Sequence, residues 1–207
     1  MGQSGLTVRG YEPADLPAAI DICVRTGDDG ADATGQYVDD GLLAAVYATP
    51  YVLLEPELAF VVDDGTRAVG YILGTSDTPT FIHRYRTEYL PDAAAAYPLP
   101  DAEDQSASAA MIRGGLYVPE RLWRPQYVRY PAHLHIDLLP IAQGTGLGGA
   151  LMRRFLGALQ HLDVPGVMLG MSAANGKALG FYRRFGFVPL PIDEYPGTVH
   201  LGLRLES

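Results

Sequence analysis

The strongest chemical signal in the chain lies in the seven residues from Gln143 to Gly149. They read Gln-Gly-Thr-Gly-Leu-Gly-Gly and stand between an apolar segment and an amphipathic one. Repeated glycines let a backbone approach an anion closely, and the free amides at a helix N-terminus favour negative charge. We therefore predict a diphosphate site made by Gln143, Gly144, Thr145, Gly146, Leu147, Gly148 and Gly149. The alternative is a glycine turn that only tightens the connection.

Two phosphate-binding patterns overlap in this loop. Gly144, Gly146 and Gly149 satisfy the G-x-G-x-x-G dinucleotide pattern, which requires an acidic residue about 20 positions later to hold a ribose. The corresponding segment 167–172 reads Val-Met-Leu-Gly-Met-Ser and contains no acid. Too little chain follows to complete a doubly wound sheet. The second pattern, Gln-x-x-Gly-x-Gly, is therefore favoured.

Polar side chains mark the segment before the loop. His133, His135 and Asp137 share one face of a predicted strand, because side chains alternate with a period of two. Their spacing could hold a metal ion, but no second ligand cluster appears in the sequence, so we predict none. Partial burial would raise the pKa of Asp137 toward the range of a general base. The alternative is an aspartate that bonds loop backbone or positions an acceptor.

Hydrophobic periodicity predicts the elements that position these residues. Strands are predicted at 6–11, 58–62, 68–73, 133–139, 167–171, 187–189 and 199–205, and helices at 15–24, 36–47, 146–162 and 177–185. Asp15 is the predicted N-cap of the first helix, and residues 63–66 read as a hairpin turn. The Pro-rich, aromatic-rich segment between the third and fourth strands is predicted to be ordered, with short helices at 81–89 and 103–113.

Composition narrows the function classes. A chain of 207 residues with 48% hydrophobic content predicts one domain over residues 1–207. The net charge of −9 argues against a nucleic-acid partner. No stretch approaches the ~18 apolar residues of a membrane span, and no leader pattern is visible, so we expect a cytoplasmic protein without a membrane partner. Cys23, the single cysteine, reads as a small buried hydrophobe.

The glycine loop and two further segments together resemble the GNAT (GCN5-related N-acetyltransferase) superfamily. Residues 11–16 read Tyr-Glu-Pro-Ala-Asp-Leu, and residues 175–187 fit the family's Asn-x-x-Ala-x-x-x-Tyr-x-x-x-Gly-Phe. The resemblance implies an α/β fold, with a central mixed, mostly antiparallel twisted sheet of about 6–7 strands flanked by helices. It also implies that segment 76–131 is a helical insertion before the fourth strand that shapes the acceptor site.

Segments 81–86 (Phe-Ile-His-Arg-Tyr-Arg) and 132–137 (Ala-His-Leu-His-Ile-Asp) carry a closer resemblance. They are similar to the acetyltransferase-like C-terminal domain of O-GlcNAcase. In the animal proteins the glycine loop is degraded, whereas here it is intact, which favours a working cofactor site.

The GNAT resemblance implies acetyl-CoA as co-substrate and direct attack by an amine acceptor in a ternary complex. It implies that the backbone of Leu138 and Leu139 pairs with the pantetheine arm and that the glycine loop holds the diphosphate. Tyr182 takes the position of the tyrosine that bonds the sulfur and protonates the thiolate; the alternative is a core tyrosine. Asn175 takes a cofactor-binding position and could equally be an N-cap.

The acceptor class stays open between a small amine and a peptide or protein amine. Candidates for lining the acceptor site are Tyr85, Trp123, Arg124 and Tyr127, with burial in packing as the alternative. A homodimer is compatible with the superfamily. The competing function is a catalytically inactive domain that binds CoA or another protein.

Overall fold

In the described part of the chain, seven strands form one sheet in the order β1-β2-β3-β4-β5-β7-β6. The structure is a computed structural model that describes residues 5–192 and 197–205. The strands are β1 Thr7–Gly10, β2 Phe60–Asp63, β3 Ala68–Thr75, β4 Ala132–Leu138, β5 Gly166–Ser172, β6 Val188–Pro189 and β7 Thr198–Arg204. Every neighbouring pair is antiparallel except β4 and β5. The predicted mixed, mostly antiparallel sheet is confirmed.

Helices cover both faces of the sheet. They are α1 Leu16–Thr26, α2 Gly41–Tyr47, α3 Thr49–Leu54, α4 Thr78–Arg84, α5 Leu90–Ala96, α6 Ala107–Ala110, α7 Leu147–His161 and α8 Gly176–Arg183. The helix predicted at 36–47 begins only at Gly41, after a run of turns. A further helix follows at Thr49, because proline at its second position, Pro50, is tolerated in a first helical turn. Within the described residues, none of the helices is both long and apolar enough to cross a bilayer.

The segment between β3 and β4 is a helical insertion, as predicted. Its two predicted helices are present but shifted and broken, since π-helical turns at Tyr85–Tyr89 and Met111–Leu116 continue α4 and α6. Such turns are rare and often stand near functional sites. Short 3-10 turns at Pro119–Leu122 and Pro125–Tyr127 lead into β4.

Asp15 stands at the predicted N-cap position of α1, but its side chain makes no capping hydrogen bond there. Its carboxylate accepts the backbone N–H of Glu12 at 2.9 Å and receives the Arg9 guanidinium at 2.6 and 2.8 Å. Arg9 also bonds Asp63 at 2.6 Å. The Arg9 side chain therefore ties β1 to β2 and to the start of α1, and among the described residues no side chain caps the α1 N-terminus.

The two halves of the sheet separate between β4 and β5. Their parallel pairing has only two rungs, Ala132 with Val167 and His133 with Met168. Beyond His133, β4 stays paired with β3 as far as Leu138, while β5 pairs with β7 along its whole length. The strands thus diverge and leave a slot in the middle of the sheet.

Helix α7 packs against β1, β2, β3 and β4. Its stripe of Leu151, Phe155 and Leu159 is fully buried, as the predicted periodicity required. Gly74 on β3 permits the close approach, because a Cβ there would lie 2.5 Å from the Phe155 ring and 2.3 Å from the His133 carbonyl oxygen. The N-terminus of α7 consequently opens into the slot.

Candidate active site between β4 and β5

A cleft of about 1320 Å³ occupies the slot. Its floor is the second half of β4, one end is the glycine loop with α8, and the other end is formed by α1, α2 and one residue of the insertion. The lining brings together residues far apart in the chain, from Cys23 to Phe185. Most residues that the sequence singled out meet here.

The glycine loop presents backbone donors to the cleft. Gly144 and Gly146 have φ of 73° and 84°, values that favour glycine, and Gly146 is the N-cap of α7. Within the described part of the chain, the amides of Gly144, Gly146, Gly148 and Gly149 donate to no protein acceptor. Free donors at the positive end of a helix dipole suit a phosphate group.

A steric requirement explains Gly148. A Cβ at this buried position would lie 3.0 Å from Leu138 Cδ1 and 3.6 Å from the Phe181 ring. Any side chain would therefore press on the end of β4 and narrow the cleft. Glycine is therefore needed at position 148 because neighbouring side chains lie so close. Its backbone φ is not positive, so backbone conformation is not the reason.

The side chains of Gln143 and Thr145 stabilise the loop itself, whereas the prediction for this loop concerned its backbone N–H groups. Gln143 donates its side-chain amide to the Leu138 carbonyl at 2.8 Å and so fixes the end of β4. The Thr145 hydroxyl donates to the Ala142 carbonyl at 2.7 Å and stabilises the turn. Thr145 and Leu147 lie outside the cleft lining, so the structure does not place their side chains at the ligand.

Basic side chains that the sequence analysis missed line the loop end of the cleft. They are Arg153, Lys177 and Arg184. Arg153 could have been found from its spacing, because it follows Gly149 by four residues and so lies on the same face of the helix. These cations complement a phosphate-bearing ligand.

Leu138 and Leu139 differ in their backbone bonding. Leu139 donates its N–H to the Val69 carbonyl at 2.9 Å and is buried outside the cleft lining. Its predicted pairing with a ligand is therefore corrected. Along an antiparallel strand the backbone N–H and C=O groups of successive residues point in opposite directions. The backbone groups of Leu138 and Ile136 therefore point away from β3 and toward the slot. Ile136, and not Leu139, thus shares the slot-facing backbone direction of Leu138.

Asp137 faces the cleft from β4. Burial raises the pKa of its carboxyl group to about 6, although the nearby hydroxyl groups of Tyr71 and Thr26 lower it. Tyr71 lies opposite Asp137 on β3. Its buried hydroxyl makes no hydrogen bond of good geometry within the described residues, so we attribute its effect on Asp137 to proximity. The carboxylate is thus poised to exchange a proton near neutral pH.

Tyr182 lies on α8 and reaches the same cleft with 8% of its surface exposed. Burial and the nearby Asp137 carboxylate both raise the pKa of its phenol. The hydroxyl therefore stays protonated at physiological pH and can serve as a proton donor. Its ring packs on Phe181 and Phe187, so it is both a core side chain and a cleft residue.

Asn175 is the N-cap of α8. Its Oδ1 accepts the Ala178 amide at 3.0 Å, and its Nδ2 donates to the Asp29 carbonyl at 3.2 Å. The N-cap alternative is therefore observed, and the residue also joins two loops at the cleft rim. Asn175 also lines the cleft.

The two histidines of β4 belong to a buried hydrogen-bond chain. His133 bonds Thr78 at 2.7 Å and Tyr51 at 2.8 Å, and His135 bonds the same Tyr51 hydroxyl at 3.0 Å. No group of three potential metal ligands occurs among residues 5–192 and 197–205. These imidazoles are thus held by hydroxyl groups.

The opposite end of the cleft is apolar and aromatic. It is lined by Tyr37, Leu43 and Tyr47, together with Met111 from the insertion. None of the four predicted insertion residues is part of the lining: Tyr85 and Tyr127 are buried, and Trp123 packs edge-on against Tyr127. Arg124 donates to the Trp123 carbonyl. Trp123 and Tyr127 instead pack with Met168 of β5 and with Ile192, a contact that sequence spacing does not reveal.

Comparison with known proteins agrees with this geometry. The profile of the Acetyltransferase (GNAT) family matches residues 36–187. The crystal structure of SsHAT is 47% identical, with a TM-score of 0.91 over 96% of this chain and 98% of that chain. The structure of yncA, a putative acetyltransferase from Salmonella typhimurium with its cofactor acetyl-CoA, is 14% identical. It covers 98% of this chain and 95% of that chain with a TM-score of 0.57, which shows the shared fold.

Among curated proteins, the chain is similar to Protein O-GlcNAcase of Rattus norvegicus. The two are 22% identical over 195 residues, which is 93% of this chain and 21% of the rat protein. The chain thus spans about a fifth of the length of the curated relatives that head the comparison. The resemblance inferred from segments 81–86 and 132–137 is confirmed.

Proposed function

The chain belongs to the GNAT family of acetyltransferases, and from this premise we propose that it transfers the acetyl group of acetyl-CoA to an amine acceptor in the β4–β5 cleft. One observation carries the proposal. A single cleft joins a phosphate-compatible glycine loop at one end to a proton acceptor, Asp137, and a proton donor, Tyr182.

We assign the diphosphate of CoA to the loop end. The free amides of Gly144, Gly146, Gly148 and Gly149 donate to its oxygens, and Arg153, Lys177 and Arg184 balance its charge. The slot beside β4 takes the pantetheine arm as a surrogate strand, bonded to the backbone of Ile136 and Leu138. The apolar end with Tyr37, Tyr47 and Met111 takes the acceptor.

The chemistry is a direct transfer. The acceptor nitrogen attacks the thioester carbon, a C–N bond forms, and the C–S bond breaks. Asp137 takes the proton that the amine loses, and Tyr182 gives its proton to the departing sulfur. An amide N–H on the slot side of β4 stabilises the oxyanion. A pKa of about 6 keeps Asp137 ionised at pH 7.

An amine is the favoured acceptor class because of charge. An ammonium ion is attracted to the acidic chain and to Asp137, and it loses its first proton to solvent, so that the carboxylate stays free to take the second proton during attack. The aromatic walls of the acceptor end suit a small or extended amine with an apolar body.

Binding tests the proposal first. Acetyl-CoA and, separately, NADH are titrated by calorimetry into the unmodified chain, Gly148→Glu and Gly157→Glu. Gly157 lies on the same helix outside the cleft, and no atom lies within 4 Å of a Cβ built there. It is therefore the matched control for added size and charge.

Saturable binding of acetyl-CoA alone, weakened at least about tenfold in Gly148→Glu and unchanged in Gly157→Glu, supports the site. No binding of acetyl-CoA contradicts it. Acetyl transfer is then followed as CoA release with a panel of primary amines and peptides. Binding without any transfer would identify a CoA-binding domain in place of an enzyme.

A further inference from the structure

A one-directional hydrogen-bond chain runs from the interior of the insertion to the cleft. The Pro131 carbonyl, which can only accept, receives the Thr78 hydroxyl at 2.6 Å. Because Thr78 has one proton, its oxygen must accept the remaining bond, which comes from His133 Nδ1 at 2.7 Å. His133 therefore carries its proton on Nδ1.

Counting protons in the same way decides which atom donates in the next two hydrogen bonds, those of His133 and Tyr51. His133 is buried, and burial lowers its pKa well below the ordinary value, so the ring is neutral and its Nε2 accepts from the Tyr51 hydroxyl at 2.8 Å. Tyr51 then has no proton left, and its oxygen accepts from His135 Nε2 at 3.0 Å. Burial and the nearby Arg121 lower the pKa of His135 to about 4, so that ring is neutral too.

The chain consequently ends on a lone pair. His135 Nδ1 is unprotonated and has no hydrogen-bond partner among the described residues, yet it is not enclosed by protein. The residue lines the cleft at the end that also contains Tyr47 and Met111. Asp137 stands two residues further along the same face, about 7 Å away along the strand.

We propose that His135 Nδ1 is a binding group for the acceptor amine, which it holds by an N–H···N hydrogen bond while Asp137 engages the same nitrogen from the other side. Thr78, His133 and Tyr51 are positioning residues that fix the ring and its tautomer. This inference rests on the proposed function and adds to it the way in which the acceptor is recognised: the nitrogen must offer at least two N–H donors, as a primary amine does.

The tautomer is measurable without any activity. ¹⁵N NMR of the histidine side chains should show His135 protonated on Nε2 and unprotonated on Nδ1 throughout neutral pH. In Tyr51→Phe the acceptor for Nε2–H is lost, and the His135 signals should change toward a tautomer mixture. A wild-type ring protonated on Nδ1 overturns the proposal.

Two substitutions separate binding of the acceptor from structural support. In His135→Asn the side-chain amide lies near the former Nδ1, whereas in His135→Gln it lies near the former Nε2 and can still bond Tyr51. We expect kcat/KM for a primary amine to fall less in His135→Asn than in His135→Gln. The kcat/KM values of the two variants should differ by about tenfold. The Kd for acetyl-CoA should stay unchanged in both. A purely structural role predicts the reverse order, because Gln preserves the chain, and that order overturns the proposal.

Failure of the proposed function can be told apart from failure of this inference. If the unmodified chain acetylates no amine of the panel, the enzymatic assignment fails. The ethylammonium ion then serves as a probe: it is titrated into the CoA-saturated protein while the His135 Nδ1 resonance is followed. A saturable shift supports the binding role, and a resonance that does not move up to the highest concentration overturns it.

Discussion

Asp137 and Tyr182 show how burial can prepare two groups for opposite tasks. Removal from water disfavours the charged form of both, so it raises the pKa of each. The carboxyl group starts from a low value and ends near 6, where it can accept a proton at neutral pH. The phenol starts near 10 and is moved further up, so it keeps a proton to give.

Tyr182→Phe should leave the Kd for acetyl-CoA nearly unchanged, because the ring still packs on its aromatic neighbours. Loss of the proton donor should lower kcat by about 10²-fold or more. Steady-state kinetics beside calorimetry of the same variant give both quantities. Unaltered turnover would contradict the assignment of Tyr182 as the acid.

The activity of the unmodified chain should depend on the ionisation of Asp137. Its kcat/KM should fall as the pH drops through about 6, because the protonated carboxyl group cannot accept the amine proton. Asp137→Asn should lower activity by about 10²-fold or more and remove this limb of the pH profile. A limb near pH 6 that persists in the variant would assign the base elsewhere.

The same substitution should increase stability at alkaline pH. The folded carboxyl group titrates near 6 and the unfolded one near 3.9, so the folded chain binds the proton more tightly and the free energy of unfolding falls as pH rises between these values. Asp137→Asn should therefore unfold with a free energy higher by about 3 kcal/mol at pH 8 and with little difference below pH 4. Urea unfolding at the two pH values checks this.

At the scale of elements, the decisive feature is the separation of β4 from β5. Two rungs join the strands, and the rest of the inner edge of β4 faces the cleft. Unpaired backbone groups inside a protein need partners, which is why we assign the pantetheine arm to this edge. The α7 N-terminus lies at the same opening.

Hydrogen exchange should show this alternation along β4. In the free protein the amides of Ile136 and Leu138 should exchange quickly, while those of His135 and Asp137, paired with β3, should be protected. Addition of CoA should slow the first pair and leave the second pair unchanged. Equal protection of all four amides without CoA would show that the slot is closed in solution.

The sequence predicts the β-α-β unit around the loop well because its signals are local: periodic apolar residues, a glycine run and a buried strand. It does not predict the separation of β4 and β5, which depends on the pairing partners of each strand. It also misses Tyr51, which lies 82 positions from His133 and contacts it only through the fold. The expected pairing of the Leu139 backbone with the ligand is one resulting error, because a shift of one residue along a strand reverses the direction of the backbone groups.

At the scale of the whole molecule, charge is unevenly distributed. The chain carries a formal charge of −9, yet Arg153, Lys177 and Arg184 gather at the loop end of the cleft. The overall field repels an anionic co-substrate, whereas these cations attract it locally. Recognition of phosphate groups therefore depends on a few contacts that salt can screen.

Arg153→Gln should raise the Kd for acetyl-CoA by about fivefold at low salt, and the difference from the unmodified chain should shrink as salt is added. Its sequence neighbour provides the control. The Arg154 guanidinium lies 5.1 Å from the centre of the Phe60 ring and outside the cleft lining, so Arg154→Gln should leave the Kd unchanged. Equal effects of both variants would point to the overall field instead.

The state of Cys23 decides how turnover can be counted. It is the single cysteine of the chain and 4% exposed, and burial together with the nearby Asp137 raises the pKa of its thiol to about 12. The folded protein consequently presents no reactive thiolate at neutral pH. A thiol-reactive dye should report only the coenzyme set free, one equivalent for each acetyl group moved, even with enzyme present at the concentration of its substrate. Burst phases and single turnovers can then be measured directly as released CoA.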